Sequence, residues 1–129
     1  MAITELLYKT AAVLNAISIP GHTAMGFKTV HPTLDSIDTT TSQDRKVGQT
    51  GAATAWDFFN ASLLVSAALN WQWARTGGPQ TTEETVALAA TVVMGFVNSY
   101  RYARVGEYAP LACLFVAPLL SLVATVKGL

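Results

Sequence analysis

The sequence predicts an all-α fold: an integral membrane bundle of four transmembrane helices that forms a single domain over residues 1–129. Hydrophobic residues make up 51% of the chain and charged residues only 12%, against about 25% charged residues in an ordinary soluble domain. Four stretches approach the roughly 20 mostly apolar residues that a helix needs to cross a bilayer. Polar or glycine-containing segments separate these stretches, as expected of connections between spanning helices.

The first two predicted helices span about residues 4–28 and 51–75, and segment 29–50 connects them. Pro20 and Gly21 predict a kink in the first helix. Segment 29–50 is rich in Thr, Ser and Asp, which is typical of an exposed loop. Small residues let membrane helices approach closely, and they recur along the second helix at Ala53, Ala61, Ser62, Ser66 and Ala67.

The third and fourth predicted helices span about residues 82–104 and 108–126. Thr81 and Glu84 form a capping-box pattern at the start of the third helix. Pro118 predicts a kink in the fourth helix, which neighbouring helices can accommodate in a membrane. The fourth segment has no charged residue, so it lacks the polar outer face that a soluble helical bundle would need.

The N-terminal segment predicts a retained helix rather than a cleaved signal peptide, because its first charged residue is the acidic Glu5. Cys113 is the single cysteine and cannot form a disulfide within the chain. We therefore expect a multi-pass protein of the endoplasmic reticulum or another endomembrane. The positive-inside rule favours a cytoplasmic position for the loops after the first and third helices, which carry Lys28, Arg45, Lys46, Arg101 and Arg104.

Several functional classes lack their sequence signals. The net charge is zero and no Lys/Arg run is present, so nucleic acid is not an expected partner. The chain has no Gly-rich phosphate loop, no GxSxG elbow and no HExxH motif. The two histidines, nine residues apart, have poor spacing for a metal site without a third ligand. The sequence thus predicts no metal and no cofactor.

Polar side chains concentrate at one end of the predicted bundle. Asp57 lies about two turns inside the second helix, and an ionisable residue at such a position indicates a functional site. Because successive helices alternate in direction, one face collects His22, Lys28, His31, Asp57, Asn60, Asn98, Arg101, Tyr102, Arg104 and Glu107. We interpret this set as a cup that holds a lipophilic ligand and presents acid/base groups to its polar part.

The predicted catalytic residues are Asp57 as the main acid or base, His22 as its proton-carrying counterpart, and Glu107, which would assist Arg101. Substrate contacts are predicted for Asn60, Asn98, Arg101, Trp56, His31 and Tyr102. A purely structural interpretation stands beside this one. In it, Asp57 pairs with Arg101 or Lys28, and the asparagines join helices through hydrogen bonds.

At His22, His31-Pro32, Trp56-Asp57, Asn60 and the segment from Asn98 to Glu107, the chain resembles the small four-helix membrane enzymes of polyketide and terpenoid pathways. The anthrone-oxygenase-like group is the most similar of these. The resemblance rests on size, helix count and the polar cluster at one end. It implies a biosynthetic membrane enzyme, and no catalytic residue is carried over from it.

The first hypothesis is a membrane-embedded enzyme that acts on a lipophilic small molecule by cofactor-free acid/base chemistry. Isomerisation, cyclisation, epoxide opening and oxygenation all remain open as the reaction. The alternative is a non-catalytic ligand carrier or a small subunit of a membrane complex. A channel is disfavoured, because four short helices form a pore only as a homo-oligomer and no charged ring lines the span. Membrane lipid is an expected partner, and a homo-oligomer is compatible with the sequence.

Overall fold

The computed structural model describes residues 2–40 and 42–128, and the regular structure in these residues is entirely helical. The helices are α1 (Ile3–Met25), α2 (His31–Asp35), α3 (Gln43–Thr76), α4 (Thr82–Arg104) and α5 (Ala117–Gly128). Two π-helical turns, Gly26–Val30 and Ala112–Val116, join α1 to α2 and lead into α5. The all-α prediction is confirmed.

The polar segment predicted as a loop over residues 29–50 is largely helical, so that prediction was wrong at both ends. Helix α3 begins at Gln43, where the side chain of Ser42 accepts a hydrogen bond from the backbone N–H of Arg45. Asp44 lies in the first turn of this helix, where its negative charge is favourable beside the helix dipole. This capping starts α3 well before the apolar residues that the sequence analysis used to place it.

Helices that are consecutive in the chain are not always the ones that pack against each other. Helix α1 packs along both α3 and α5, and α4 packs on α5 and the π-helical turn before it. Helices α3 and α4 are consecutive but are joined chiefly near their shared turn. There, Gln72 Nε2 and Trp73 Nε1 donate hydrogen bonds to the carboxylate of Glu84, at 2.8 and 3.1 Å.

The end of the bundle beside this turn is closed by a buried aromatic and aliphatic cluster. Tyr8 is fully buried, and its ring meets that of Trp73 edge-on with centroids 6.0 Å apart. Ala74, Leu88 and Ala124 complete the cluster from α3, α4 and α5. The fold is therefore tightly packed at this end of the bundle.

Helix α3 carries the clearest membrane signal. Among the described residues it is the one helix long and apolar enough to cross a bilayer, and very little of its apolar stretch is buried. The segment Ala112–Gly128 is apolar but shorter. A single helix of this kind supports membrane association in general, without establishing four spans.

Candidate functional site

A cavity of about 570 Å³ lies away from the closed end, between α1, α3, α4 and the corner before α5. Cavities of about 300–1,000 Å³ are typical of small-molecule sites. Four of the predicted site residues line it: His22, Trp56, Asn98 and Tyr102. The structure therefore brings together residues from three helices that the sequence analysis grouped at one end of the bundle.

His22 is held in place by Trp56 in two ways. Its Nε2 lies 2.8 Å from the backbone carbonyl oxygen of Trp56, and its ring stacks on the indole with centroids 4.0 Å apart and planes 12° apart. A carbonyl oxygen only accepts hydrogen bonds, so Nε2 carries the proton. In the neutral imidazole, Nδ1 is then the basic nitrogen. The second aromatic neighbour, Phe59, lies 5.0 Å from the His22 ring.

Trp56 in turn depends on a glycine in the first π-helical turn. A Cβ built on Gly26 would lie 2.6 Å from the indole Nε1, so only glycine admits the indole at this position. The Nε1–H group is buried and has no hydrogen-bond partner among residues 2–40 and 42–128. The placement of His22 thus traces back to the lack of a side chain at Gly26.

Asn98 and Tyr102 supply the polar groups on the α4 wall of the cavity. They are four residues apart on a helix, so their side chains lie on one face. Within the described part of the chain, neither the Asn98 amide nor the Tyr102 hydroxyl forms a hydrogen bond with a protein group. Both groups are therefore available to a ligand in the cavity.

The remaining predicted residues lie outside this cavity. Asp57 pairs with His31, with Oδ1 2.9 Å from Nε2, and 66% of its side chain is exposed. This pairing replaces the pairs with Arg101 or Lys28 that the structural interpretation expected.

Asn60, Glu107 and Arg101 also lie outside the cavity. Asn60 Nδ2 donates to Thr23 Oγ1 at 3.2 Å, and the Glu107 carboxylate accepts from the Ala109 N–H at 3.3 Å. Arg101 is exposed on α4. The predicted cup is thus two separate features: a cavity at His22 and an exposed His31–Asp57 pair.

Several lining residues were absent from the sequence-based set because they are small or apolar. They include Ser18, Gly21, Ala52, Ala55, Phe59 and Cys113. Ala52 lies four residues before Trp56 and Phe59 three residues after it, so helical spacing around Trp56 would have identified these two. Cys113 also lines the cavity, and its thiol lies 3.3 Å from the Pro110 carbonyl oxygen.

Within the described part of the chain, no three His, Cys, Asp or Glu side chains come close enough together to hold a metal ion. The chain matches no protein-family model, no curated protein and no solved structure. Its function has to be inferred from the geometry of the cavity.

Proposed function

We propose that the protein is a membrane-embedded enzyme that acts on a lipophilic small molecule by cofactor-free acid/base chemistry. The supporting observation is an imidazole, His22, that is oriented by a backbone carbonyl and an indole ring beside a largely apolar cavity. An oriented imidazole with one basic nitrogen can remove a proton and return it at another atom. Isomerisation and cyclisation are reactions that proceed in this way.

The proposed chemistry assigns roles to His22, Asn98 and Tyr102. His22 Nδ1 accepts a proton from a carbon next to a carbonyl group of the substrate. The Asn98 amide and the Tyr102 hydroxyl donate hydrogen bonds to the carbonyl oxygen, on which negative charge develops. Apolar surroundings strengthen such hydrogen bonds relative to water. The earlier assignment of Asp57 and Glu107 as catalytic residues stays a prediction, and the proposed proton transfer does not require either residue.

We also propose that α1, α3, α4 and the segment formed by α5 with its preceding π-helical turn all span the membrane of an endomembrane compartment. Large apolar side chains are left exposed on each of these helices, including Ile17 on α1, Leu64 on α3, Val93 on α4 and Val123 on α5. Exposing such apolar surfaces to water is energetically unfavourable, whereas contact with lipid is not. The resemblance to anthrone-oxygenase-like enzymes agrees with this arrangement.

Proton exchange in a lipophilic ketone tests the proposal directly. Purified protein in lipid nanodiscs is incubated with a long-chain methyl ketone in D₂O, and deuterium incorporation next to the carbonyl is followed by mass spectrometry. Wild type is expected to accelerate the exchange above empty nanodiscs, and His22→Gln is expected to lose the acceleration at unchanged thermal stability. Equal exchange by both proteins would refute the role of His22.

A non-catalytic ligand carrier is the second candidate, and one observation favours it. The two carboxylates predicted to act in catalysis, Asp57 and Glu107, lie outside the cavity, so His22 has no carboxylate partner there. Saturable binding of the ketone without any exchange would support the carrier.

A further inference from the structure

A second cavity of about 260 Å³ adjoins the first, deeper along the seam between α3 and α4. The two cavities share Phe59, Asn98, Cys113 and Leu114 in their walls. The seam is open because α3 packs on α1, while α4 packs on α5 and its preceding turn. The first cavity is therefore continued by a furrow that runs towards the closed end of the bundle.

The walls of the second cavity are made largely of small residues. Ser62 and Ser66 line it from α3, and Ala90 and Gly95 line it from α4. The longer polar side chains there bind their own helices: Asn15 Nδ2 donates to the Ala11 carbonyl at 3.0 Å, and Thr91 Oγ1 donates to the Ala87 carbonyl at 2.8 Å. Both of these groups are satisfied within their own helices, so the polar groups left to this wall are chiefly the small hydroxyls of Ser62 and Ser66, and the remaining surface, which is mostly apolar, can accept hydrocarbon.

The acid/base group and the two groups proposed to bind a carbonyl oxygen lie towards one end of this combined space. His22, Asn98 and Tyr102 line the first cavity, and of these only Asn98 also reaches the second. On α4, the distance from Tyr102 to Ala90 is roughly 18 Å at 1.5 Å rise per residue. The combined space is therefore elongated, and His22 lies towards one end of it.

We infer that the substrate is an elongated amphiphile, with its polar group at His22 and an unbranched hydrocarbon chain that passes between Phe59 and Asn98 towards Ser66 and Ala90. This inference rests on the proposed function and specifies its substrate class. A compact fused-ring molecule would occupy the first cavity alone and leave the second unfilled.

Photo-crosslinking can locate the hydrocarbon chain of a bound substrate. Two linear methyl ketones with a terminal diazirine are used: one long enough to reach Ala90 from His22, and one that fits the first cavity alone. In nanodiscs, the long probe is expected to label Ser62, Ser66, Ala90 or Met94. Ala90→Phe is expected to reduce that labelling about tenfold, the effect of roughly 1.4 kcal/mol, and to leave the short probe unaffected.

The controls separate this inference from the proposed function. Ala89→Phe adds the same ring at a neighbouring position that lines neither cavity, so both probes should label it as they label wild type. Ser66→Phe repeats the block from the opposite wall. The long probe could instead label only Met25 or Ala52, while labelling by the short probe still depends on His22. That result would overturn the inference of an elongated substrate and leave the proposed function intact. Absence of saturable labelling by either probe would overturn both proposals.

Discussion

The Cα of Gly95 on α4 lies directly against the backbone carbonyl of Leu114, where a Cβ would overlap the carbonyl oxygen and lie 3.3 Å from Pro118 Cγ. Pro118 has no N–H to donate to this carbonyl, four residues before it. The Cα–H of Gly95 approaches the oxygen as a weak hydrogen-bond donor. The helix before Pro118 widens into a π-helical turn, Ala112–Val116, which packs against this glycine of the neighbouring helix. The kink at Pro118 stays a prediction.

Gly95→Ala is expected to lower the thermal stability of the protein in detergent. The new Cβ must displace backbone rather than a flexible side chain, and overpacking of this kind costs about 1–3 kcal/mol. Gly48→Ala on α3 is the matched control, since a Cβ there meets nothing within 4 Å; alanine at a helical position should raise stability slightly. Equal melting temperatures for Gly95→Ala and wild type would contradict the close approach.

Glu84→Gln is expected to destabilise the closed end of the bundle. The Glu84 carboxylate accepts hydrogen bonds from Gln72, Trp73 and the Gln80 N–H. The NH₂ group of a glutamine at this position would face some of these N–H donors and could not accept their hydrogen bonds. Hydrogen bonds to a charged group contribute about 1.5–3 kcal/mol. Glu83→Gln changes the same charge at an exposed neighbour and should leave the melting temperature close to that of wild type. Matching losses in the two variants would point to charge alone.

Tyr8→Phe isolates one hydrogen bond of the buried cluster. The Tyr8 hydroxyl lies 2.7 Å from Thr125 Oγ1, and Thr125 Oγ1 donates to the Ser121 carbonyl, so the Tyr8 hydroxyl is the donor in the first pair. Removing it should cost about 0.5–1.5 kcal/mol, whereas Tyr8→Ala should cost about 3–5 kcal/mol because it opens a cavity. Thermal unfolding in detergent measures both variants, and similar losses would contradict the dominant role of ring packing.

The parts of the fold that the sequence predicted well are encoded locally. Helix α4 spans Thr82–Arg104 as predicted, because the Thr81 side chain accepts from the Glu84 N–H at its start. Only half of the predicted capping box forms, since the Glu84 carboxylate binds the Gln80 N–H instead of that of Thr81. The separation of α3 from α4 could not be predicted, because it depends on which helices pack together across the chain.

The same distinction between local signals and packing across the chain applies to the candidate site. Asn98 and Tyr102 could be paired from their spacing on one helix face, and both line the cavity. Trp56 and Asp57 are adjacent in sequence, but successive helical residues point about 100° apart. The rotation of α3 places Trp56 at the cavity and Asp57 beside His31, and nothing in the sequence specifies that rotation.

The proposed membrane topology is tested by cysteine labelling in a Cys113→Ala background. Gln43, Val105 and Thr82 are exposed, and in a four-span bundle the first two lie on one side of the membrane and Thr82 on the other. In sealed vesicles, a membrane-impermeant maleimide should label Gln43→Cys and Val105→Cys from the cytoplasmic side, and Thr82→Cys from the lumen. Labelling of all three from one side would rule out the four-span arrangement.

The two histidines give the sharpest separation of the competing site assignments. His22 lines the cavity and is hydrogen-bonded to Trp56, whereas His31 lies outside it, paired with Asp57. If the acid/base group is His22, Asp57→Asn weakens only the exposed contact with His31, which contributes about 0–1 kcal/mol of stability, and leaves the contacts between His22 and Trp56 in place. Ketone exchange by Asp57→Asn should then equal that of wild type, and exchange by His22→Gln should fall to background. Loss of exchange in Asp57→Asn, with folding and probe labelling intact, would instead place the catalytic acid or base at Asp57, as the sequence alone suggested.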